Sequence, residues 1–415
     1  MKVWQQSDQT SERLMQKFLL EGLDTIVQAD CDVLSRIKVG KQIATPVVRW
    51  VEEQSYPTGL YGQFTGTNLF TVSEAQTLMG LDFSLVGSTD AMIGEVLNQV
   101  LRSGTILERT SDGAQIKLGS CALIRDLATP FTAVAATYGN SPTTADTTDT
   151  YWEIISEVWS DYKDADESRS LTRTFREVGT QIHSETFEIP KTRKNTKYEI
   201  VADEVEHQIA ELLDKMRRQL AYSCLRSRPY YATTYKYGNQ VEESTMCGLT
   251  SWAAIIQGEA ANADIYVNAA TAEITKTMLD DLSKAMWLEE NANFNRGTWV
   301  IICHPNVHKY IQDFDAQYRR KTEDSKRAGF YVDTIDVAIG KSLPVIADRY
   351  MRPDVLHIVN LDSLSYGYFA NDKIDRKELA TQGRYQRWLI SFQTYGLVAR
   401  KPRQNIGTIY GLAIA

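Results

Sequence analysis

The sequence predicts an α+β protein, and three observations carry that prediction. Residues 198–226 place apolar side chains every three or four positions, the spacing of one long amphipathic helix. Runs within 47–52, 105–118, 169–189 and 385–412 alternate with a period of two, as strands do. Residues 247–370 mix both periods, and no repeat of fixed length runs through the chain.

Taken in order, residues 8–28 read as an amphipathic helix. Leu14, Phe18 and Ile26 fall near one stripe, and Glu12, Lys17 and Asp24 fall elsewhere. Such a helix can dock on its own core or grip a neighbouring subunit. Val47, Arg49 and Val51 then alternate with Val48, Trp50 and Glu52 as a strand. Residues 57–150 are rich in Gly, Thr and short strand-like runs, which predicts a small β module inserted into a longer element. Within it, 105–109 and 115–118 predict a hairpin turning at Asp112-Gly113. A loop is expected over 138–146. Strands are expected over 152–159 and 169–189, and Pro190 ends the second.

The long helix has Val201, Val205, Ile209, Leu212, Met216 and Leu220 as its stripe. Its acids gather at the start and its bases at the end, which suits the helix dipole. It would be about 40 Å long, so a single stripe needs an extended surface to lie on. Pro229 stops it. A helix is expected over 271–290, carrying Ile274, Met278, Leu282 and Ala285, and a buried strand over 299–303. A helix opening at Pro305 carries Val307, Ile311, Phe314 and Tyr318. Further strands fall at 343–347 and 355–359.

The chain has 415 residues, 43% hydrophobic and 24% charged, which is the balance of a folded protein of two or three domains. The net charge of −8 argues against a protein that wraps nucleic acid with a basic face. Residues 51–150 hold 11 acidic and 4 basic side chains, so one stretch carries nearly all the imbalance. No apolar run reaches the roughly 18–20 residues of a membrane helix. Arg13, Lys17 and Glu21 interrupt what would be the core of a signal peptide. Cys31, Cys121, Cys224, Cys247 and Cys303 are scattered and odd in number, which fits buried thiols in a reducing compartment.

Tests for chemistry find little. Gly340-Lys341-Ser342 looks like the end of a phosphate-binding loop, but the glycine required five positions earlier is Ile335, so a surface turn is expected. Cys303, His304 and His308 cluster at a strand-to-helix junction without a fourth zinc ligand or an orienting partner, and a buried thiol beside two helix-end histidines is expected. His183, His207 and His357 are isolated, and His207, among Glu204, Glu206 and Glu211 on the long helix, is expected on a solvated, ion-pairing face. Lys191, Arg193, Lys194 and Lys197 form a basic cluster before the long helix, and Arg217, Arg218, Arg226 and Arg228 another at its end. Each can meet phosphates or an acidic neighbouring chain.

The order of these parts resembles the major capsid proteins of tailed double-stranded DNA bacteriophages, with the Hong Kong 97-like fold, in the branch that carries a β insertion in the extended loop. Asp32–Ile37, Gly40-Lys41 and Arg49–Glu53 resemble the start of that loop. Gly104–Leu107, Gly113–Ile116 and Tyr138-Gly139 resemble the inserted module. Arg173–Val178 and Glu185–Ile189 resemble its return strand. Leu343–Met351 resembles part of the axial domain, and Gln386–Trp388, Val398–Arg400 and Gly407–Leu412 resemble the closing strands.

The resemblance implies an N-terminal helical arm at 1–45 and an extended loop at 46–190 with its module at about 57–150. It implies a peripheral domain at 191–243 and 371–415, with a spine helix at 198–226, and an axial domain at 244–370. It implies a structural shell protein with no catalytic centre, cofactor or metal. The chain would assemble through hexamers and pentamers into an icosahedral virion shell around packaged DNA, formed in the host cytoplasm. Contact with that DNA would be weak and blind to sequence, and no membrane would be involved. Portal and scaffolding proteins, and in some relatives decoration proteins, would be partners, with scaffolding supplied separately or by a removed segment. Leu14, Phe18, Arg49, Trp50, Phe175, Arg176, Lys191, Arg193, Lys194, Arg217 and Arg218 would be contacts between subunits. The alternatives are an encapsulin-type nanocompartment and, more remotely, a P-loop or Cys-His enzyme.

Overall fold

Three β assemblies organise the computed structural model, which describes residues 31–45, 47–53, 59–66, 69–72, 101, 103–119, 131–135, 150–158, 173–190, 204–228, 245–259, 265–288, 292–312, 314, 319–320, 334–369, 375–379 and 385–414. The expected arm helix, the 138–146 loop, residues 191–203 with their basic cluster, Cys121, Pro229 and Tyr318 lie outside the described residues.

The chain enters through a short helix, α1 (Asp32–Arg36). Its N-terminus is held by Asp348, whose Oδ2 accepts from the Cys31 thiol at 3.1 Å and from the Val33 amide at 3.3 Å. A carboxylate there satisfies helix-end donors that have no partner within the helix. Strand β1 (Lys38–Val39) follows, then β2 (Val47–Glu53).

The inserted module is a closed six-stranded barrel. Its strands are β3 (Gly59–Gly66), β4 (Leu69–Val72), β5 (Thr105–Arg109), β6 (Gln115–Leu118), β7 (Phe131–Ala135) and β8 (Thr150–Glu157), joined in the order β3-β4-β7-β6-β5-β8. The expected hairpin is β5–β6, and Gly113 takes the positive φ of +69° that its turn needs. Asp112 in that turn accepts from Arg109 Nε at 2.8 Å, which holds its carboxyl below the usual range. Phe64, Phe70 and Trp152 fill the interior, with ring centroids 5.4–6.0 Å apart and steeply inclined planes. The Trp152 indole donates to Gly62 O at 3.3 Å. The last strand, β8, runs past the expected boundary at 150. Its register, Gly59 opposite Glu153, closes the barrel on its first strand.

The second assembly is a six-stranded sheet. Strand β9 (Arg173–Pro190) runs 18 residues, and β18 (Tyr385–Ala399) runs 15. The order is β1-β16-β18-β9-β2, with β16 at Leu364–Tyr368, and β17 (Asp375–Leu379) pairs with β18. Strand β9 buries opposite faces along its length. In β9, Arg176, Val178 and Thr180 are buried, whereas farther on His183 and Ile189 are buried and Ile182, Ser184, Thr186 and Glu188 are exposed. The spine helix, α2 (Glu204–Arg226), covers the later half. Lys215 reaches Glu185 at 2.6 Å, and Gln219 donates to the same carboxylate at 3.4 Å. Its apolar stripe is broader than the periodicity suggests. Leu213, Ala221, Cys224 and Leu225 join it, and Leu212 is only half-buried. A wide stripe is what a helix needs when it lies between two layers rather than on one.

The third assembly is a seven-stranded sheet, β10-β19-β15-β11-β14-β13-β12. The strands are β10 (Tyr266–Asn268), β11 (Trp299–Cys303), β12 (Arg319–Arg320), β13 (Thr334–Val337), β14 (Lys341–Ala347), β15 (Val355–Asn360) and β19 (Ile406–Tyr410). Every residue of β11 is buried, as its unbroken apolar run predicts for a strand covered on both faces. Helices α3 (Leu249–Glu259), α4 (Lys276–Leu288) and α5 (Pro305–Gln312) surround it, and a last short helix, α6 (Pro402–Asn405), precedes β19. Helix α4 begins later than residue 271, and Ile274 is buried ahead of it. It lies close on β19: a Cβ at Gly407 would stand 2.3 Å from Met286 Sδ.

Candidate functional site

The residues nominated as subunit contacts meet at two places in the described chain. The first is the ribbon formed by β2 and the first half of β9. Their register places Arg49 opposite Glu177, Trp50 opposite Arg176, and Val51 opposite Phe175. Side chains alternate across a strand, so Trp50, Glu52 and Arg176 share one face, and Arg49, Val51 and Glu177 share the other.

The outer face is open. Arg49 Nε lies 3.0 Å from Glu177 Oε2 with both side chains more than half exposed, and Val51 is 49% exposed. An exposed pair of this kind adds about 0.2–1 kcal/mol at most. Its value lies in presenting both charges beside an apolar side chain, which a partner chain can use.

The inner face is used within the subunit. Arg176 is 7% exposed, and its Nε donates to Glu52 Oε2 at 2.7 Å. The Glu52 Oε1 accepts from the Trp50 indole at 2.9 Å and from the Lys401 amide at 2.8 Å. Trp252 of α3 lies against both expected contact residues. Its ring centroid is 5.9 Å from that of Trp50 and 5.9 Å from the Arg176 guanidinium carbon. The Trp252 indole is itself anchored on Leu397 O at 2.6 Å. The structure therefore spends Trp50 and Arg176 on the chain's own body, because burying the charged and aromatic face of the ribbon satisfies groups that would otherwise be costly to desolvate. Trp252 and Lys401 are partners of this face that no motif in the sequence marks. The visible signal was Glu52 itself, a carboxylate on the same strand face as Trp50.

The second place is α2. Asp214 holds both expected arginines, with Arg217 at 3.1 Å and Arg218 at 2.7 Å. Arg218 is 59% exposed in its side chain and faces outward, whereas Arg217 is mostly covered. At the end of the helix, Arg226 Nε donates to Tyr350 O at 2.6 Å, and its guanidinium lies over the Tyr222 ring. Of the other nominated residues, Leu14, Phe18, Lys191, Arg193 and Lys194 lie outside the described residues, as does the side chain of Phe175.

The motifs tested for chemistry resolve into structural roles. Gly340 has a φ of +71° and turns the β13–β14 hairpin, and Lys341 opens β14. Cys303 is fully buried, and burial pushes its thiol up to about 12. His304 Nδ1 accepts from the Asn306 amide at 3.2 Å, and burial together with the nearby Arg226 charge lowers its pKa. His308 meets Gln312 at 3.3 Å, one turn on. His207 Nε2 lies 3.5 Å from Glu211, but the ring is buried rather than solvated as the sequence suggested. Among the described residues, no three His, Cys, Asp or Glu side chains are placed to hold a metal, and no helix is long and apolar enough to cross a membrane.

A family model described as SU10 major capsid protein matches residues 6–413. No curated protein sequence matches the chain. Among solved structures, the chain is similar to the Cyanophage A-1(L) capsid asymmetric unit, with 14% identity over 62% of this chain and 85% of that one, at a TM-score of 0.45. It is similar to a Gordonia phage Cozz chain, with 14% identity over 63% and 78%, at 0.39. It is also similar to the holo-SrpI encapsulin complex of Synechococcus elongatus, with 10% identity over 59% and 78%, at 0.41.

Proposed function

This chain belongs to the SU10 major capsid protein family, and from that premise we propose that it builds an icosahedral virion shell from hexamers and pentamers around packaged double-stranded DNA. It is a capsid shell protein, and the observation that carries this is the family match over nearly the whole chain. Such a protein works by repeated contact between copies, and the curvature of those contacts decides closure. Building a shell asks for no catalytic group.

The domain division proposed is an arm at 1–45, an extended loop at 46–190, a peripheral domain at 191–243 and 371–415, and an axial domain at 244–370. The β2–β9 pairing supports it, because the barrel is spliced between two strands that run side by side. The exposed Arg49–Val51–Glu177 face and Arg218 are the proposed contacts with other copies among the described residues. Phe175, with arm and basic-cluster contacts through Leu14, Phe18, Lys191, Arg193 and Lys194, completes the set. The barrel, drawn from the stretch with 11 acidic and 4 basic residues, is proposed to face away from DNA. Portal, scaffolding and decoration proteins are the expected partners, and assembly takes place in the host cytoplasm.

Electron microscopy of the expressed full-length chain tests the proposal. Closed shells or hexameric and pentameric capsomers are expected, and a chain that stays monomeric at every concentration and salt overturns it. Purified shells should also bind free DNA poorly at physiological salt, because packaged DNA must slide. Tight binding refutes the proposed DNA-averted charge.

A further inference from the structure

We infer that Glu52 is the positioning residue that sets the angle at which the β2–β9 ribbon, and the barrel at its end, leave the body of the subunit. This rests on the capsid reading only for its consequence in shell geometry.

The ribbon is the barrel's mount. Strand β2 ends at Glu53 and β3 opens the barrel at Gly59, while β8 ends at Glu157 and β9 begins at Arg173. Glu53 stands opposite Arg173, so both strands lead outward at the same end. A two-stranded ribbon is marginal by itself and takes its direction from whatever it docks on.

Here the docking converges on one carboxylate. Glu52 is 7% exposed, and its two oxygens accept from three elements: Trp50 of β2 at 2.9 Å, Arg176 of β9 at 2.7 Å, and the Lys401 amide at 2.8 Å. The Lys401 amide belongs to the body, in the turn between β18 and α6. Lys401 adopts a left-handed conformation, φ 45° and ψ 62°, which a residue with a side chain adopts only at some cost. That conformation accompanies an amide aimed at Glu52. Trp252 supplies the second body contact, through the rings of Trp50 and Arg176 described above. Apolar packing alone is non-directional, whereas a charge-assisted set of three hydrogen bonds specifies direction.

The test separates direction from stability. In Glu52→Met/Arg176→Met, an apolar pair replaces the buried ion pair, a change that often leaves stability intact. The full-length double variant is compared with wild type by melting, hydrogen exchange and electron microscopy. The expected result is an unchanged melting temperature and unchanged exchange in the barrel. Ribbon amides 47–53 and 173–179 should exchange about tenfold faster, and shells should lose their single diameter. Should the double variant fail to fold, Glu52→Gln carries the same readouts, since it keeps the shape and removes the charge. Ribbon protection equal to wild type overturns the inference, as does a loosened ribbon with shells of wild-type diameter. Protection lost together in barrel and ribbon also overturns it, because Glu52 then acts on folding alone. A wild-type chain that forms no shells counts against the capsid reading, and the exchange arm then decides the role of Glu52.

Discussion

Acidification should destabilise the folded chain through two buried histidines. His357 lies in β15 with no exposure, and its Nδ1 is 2.8 Å from Thr408 Oγ1. His183 lies in β9 at 5% exposure, stacked on Phe392 at 4.9 Å. Burial lowers His357 from 6.5 to about 3 and His183 to about 4, because neither site offers the imidazolium water or a counter-charge. The folded chain therefore excludes protons that the unfolded chain takes up below 6.5. The stability is fully present above 6.5 and is lost as pH falls toward the folded values. At pH 5 the unfolded state gains about 2 kcal/mol from each histidine, so about 4 kcal/mol of stability is lost relative to pH 7. Denaturant unfolding of the dissociated full-length chain, followed by tryptophan fluorescence at pH 7, 6 and 5, measures this. Wild type is compared with His183→Gln/His357→Gln, because carboxylate titration is common to both and cancels. The two pH profiles should diverge by about 4 kcal/mol between pH 7 and 5. Parallel profiles, within about 1 kcal/mol, would refute the assignment of the acid sensitivity to these rings.

Four further outcomes follow from packing and burial. Trp152→Ala removes the centre of the aromatic trio and should cost about 3–5 kcal/mol, read as lost exchange protection in the barrel with the seven-stranded sheet unaffected. Gly396→Ala would place a Cβ 2.2 Å from Cys247 O, a backbone atom that cannot swing away, and should cost about 3 kcal/mol. Gly113→Ala meets open space at a φ of +69° and should cost about 1 kcal/mol, so equal melting temperatures for the two variants would contradict the packing. Burial raises the thiol pKa of Cys31 and pushes Cys224, Cys247 and Cys303 up to about 12. A thiol reagent at pH 8 should therefore leave all four unmodified until denaturant is added, as peptide mapping would show.

What was legible in the sequence divides along a physical line. The spine helix, the β5–β6 hairpin and β11 each follow from a local pattern: a 3.6-residue period, an Asp-Gly turn, an unbroken apolar run. Closure of the barrel does not, because β4–β7 and β3–β8 pair residues far apart in sequence, and no local period specifies which strand a neighbour will be. Helix α3 is apolar on most sides, so its LTSWAAIIQGE stretch carries no stripe to separate helix from buried strand. The contact residues show the same limit. Alternation along β2 places Arg49 and Trp50 on opposite faces. Only the tertiary position of Trp252 and Lys401 determines that the Trp50 face turns inward and the Arg49 face stays open.

The same line separates the parts of the chain that are complete alone from those that are not. A closed barrel has no edge strands, so the inserted module satisfies its ladder hydrogen bonds internally and fills its interior with its own aromatic side chains. The six-stranded sheet is open. β2 and β17 each pair with one strand among the described residues, and Ile182 stands 65% exposed on a bare face of β9. The charge follows this division, since the stretch that contains most of the barrel carries the acidic excess and the remainder is near balance. A surface that must pair with copies of itself is penalised by a large charge of one sign, because like charges then meet across every contact. A self-contained module escapes that penalty and can hold the excess. On the proposed shell reading, the acidic insert and the near-neutral, edge-exposed body answer one requirement, that the body be shared between subunits and the barrel need not be.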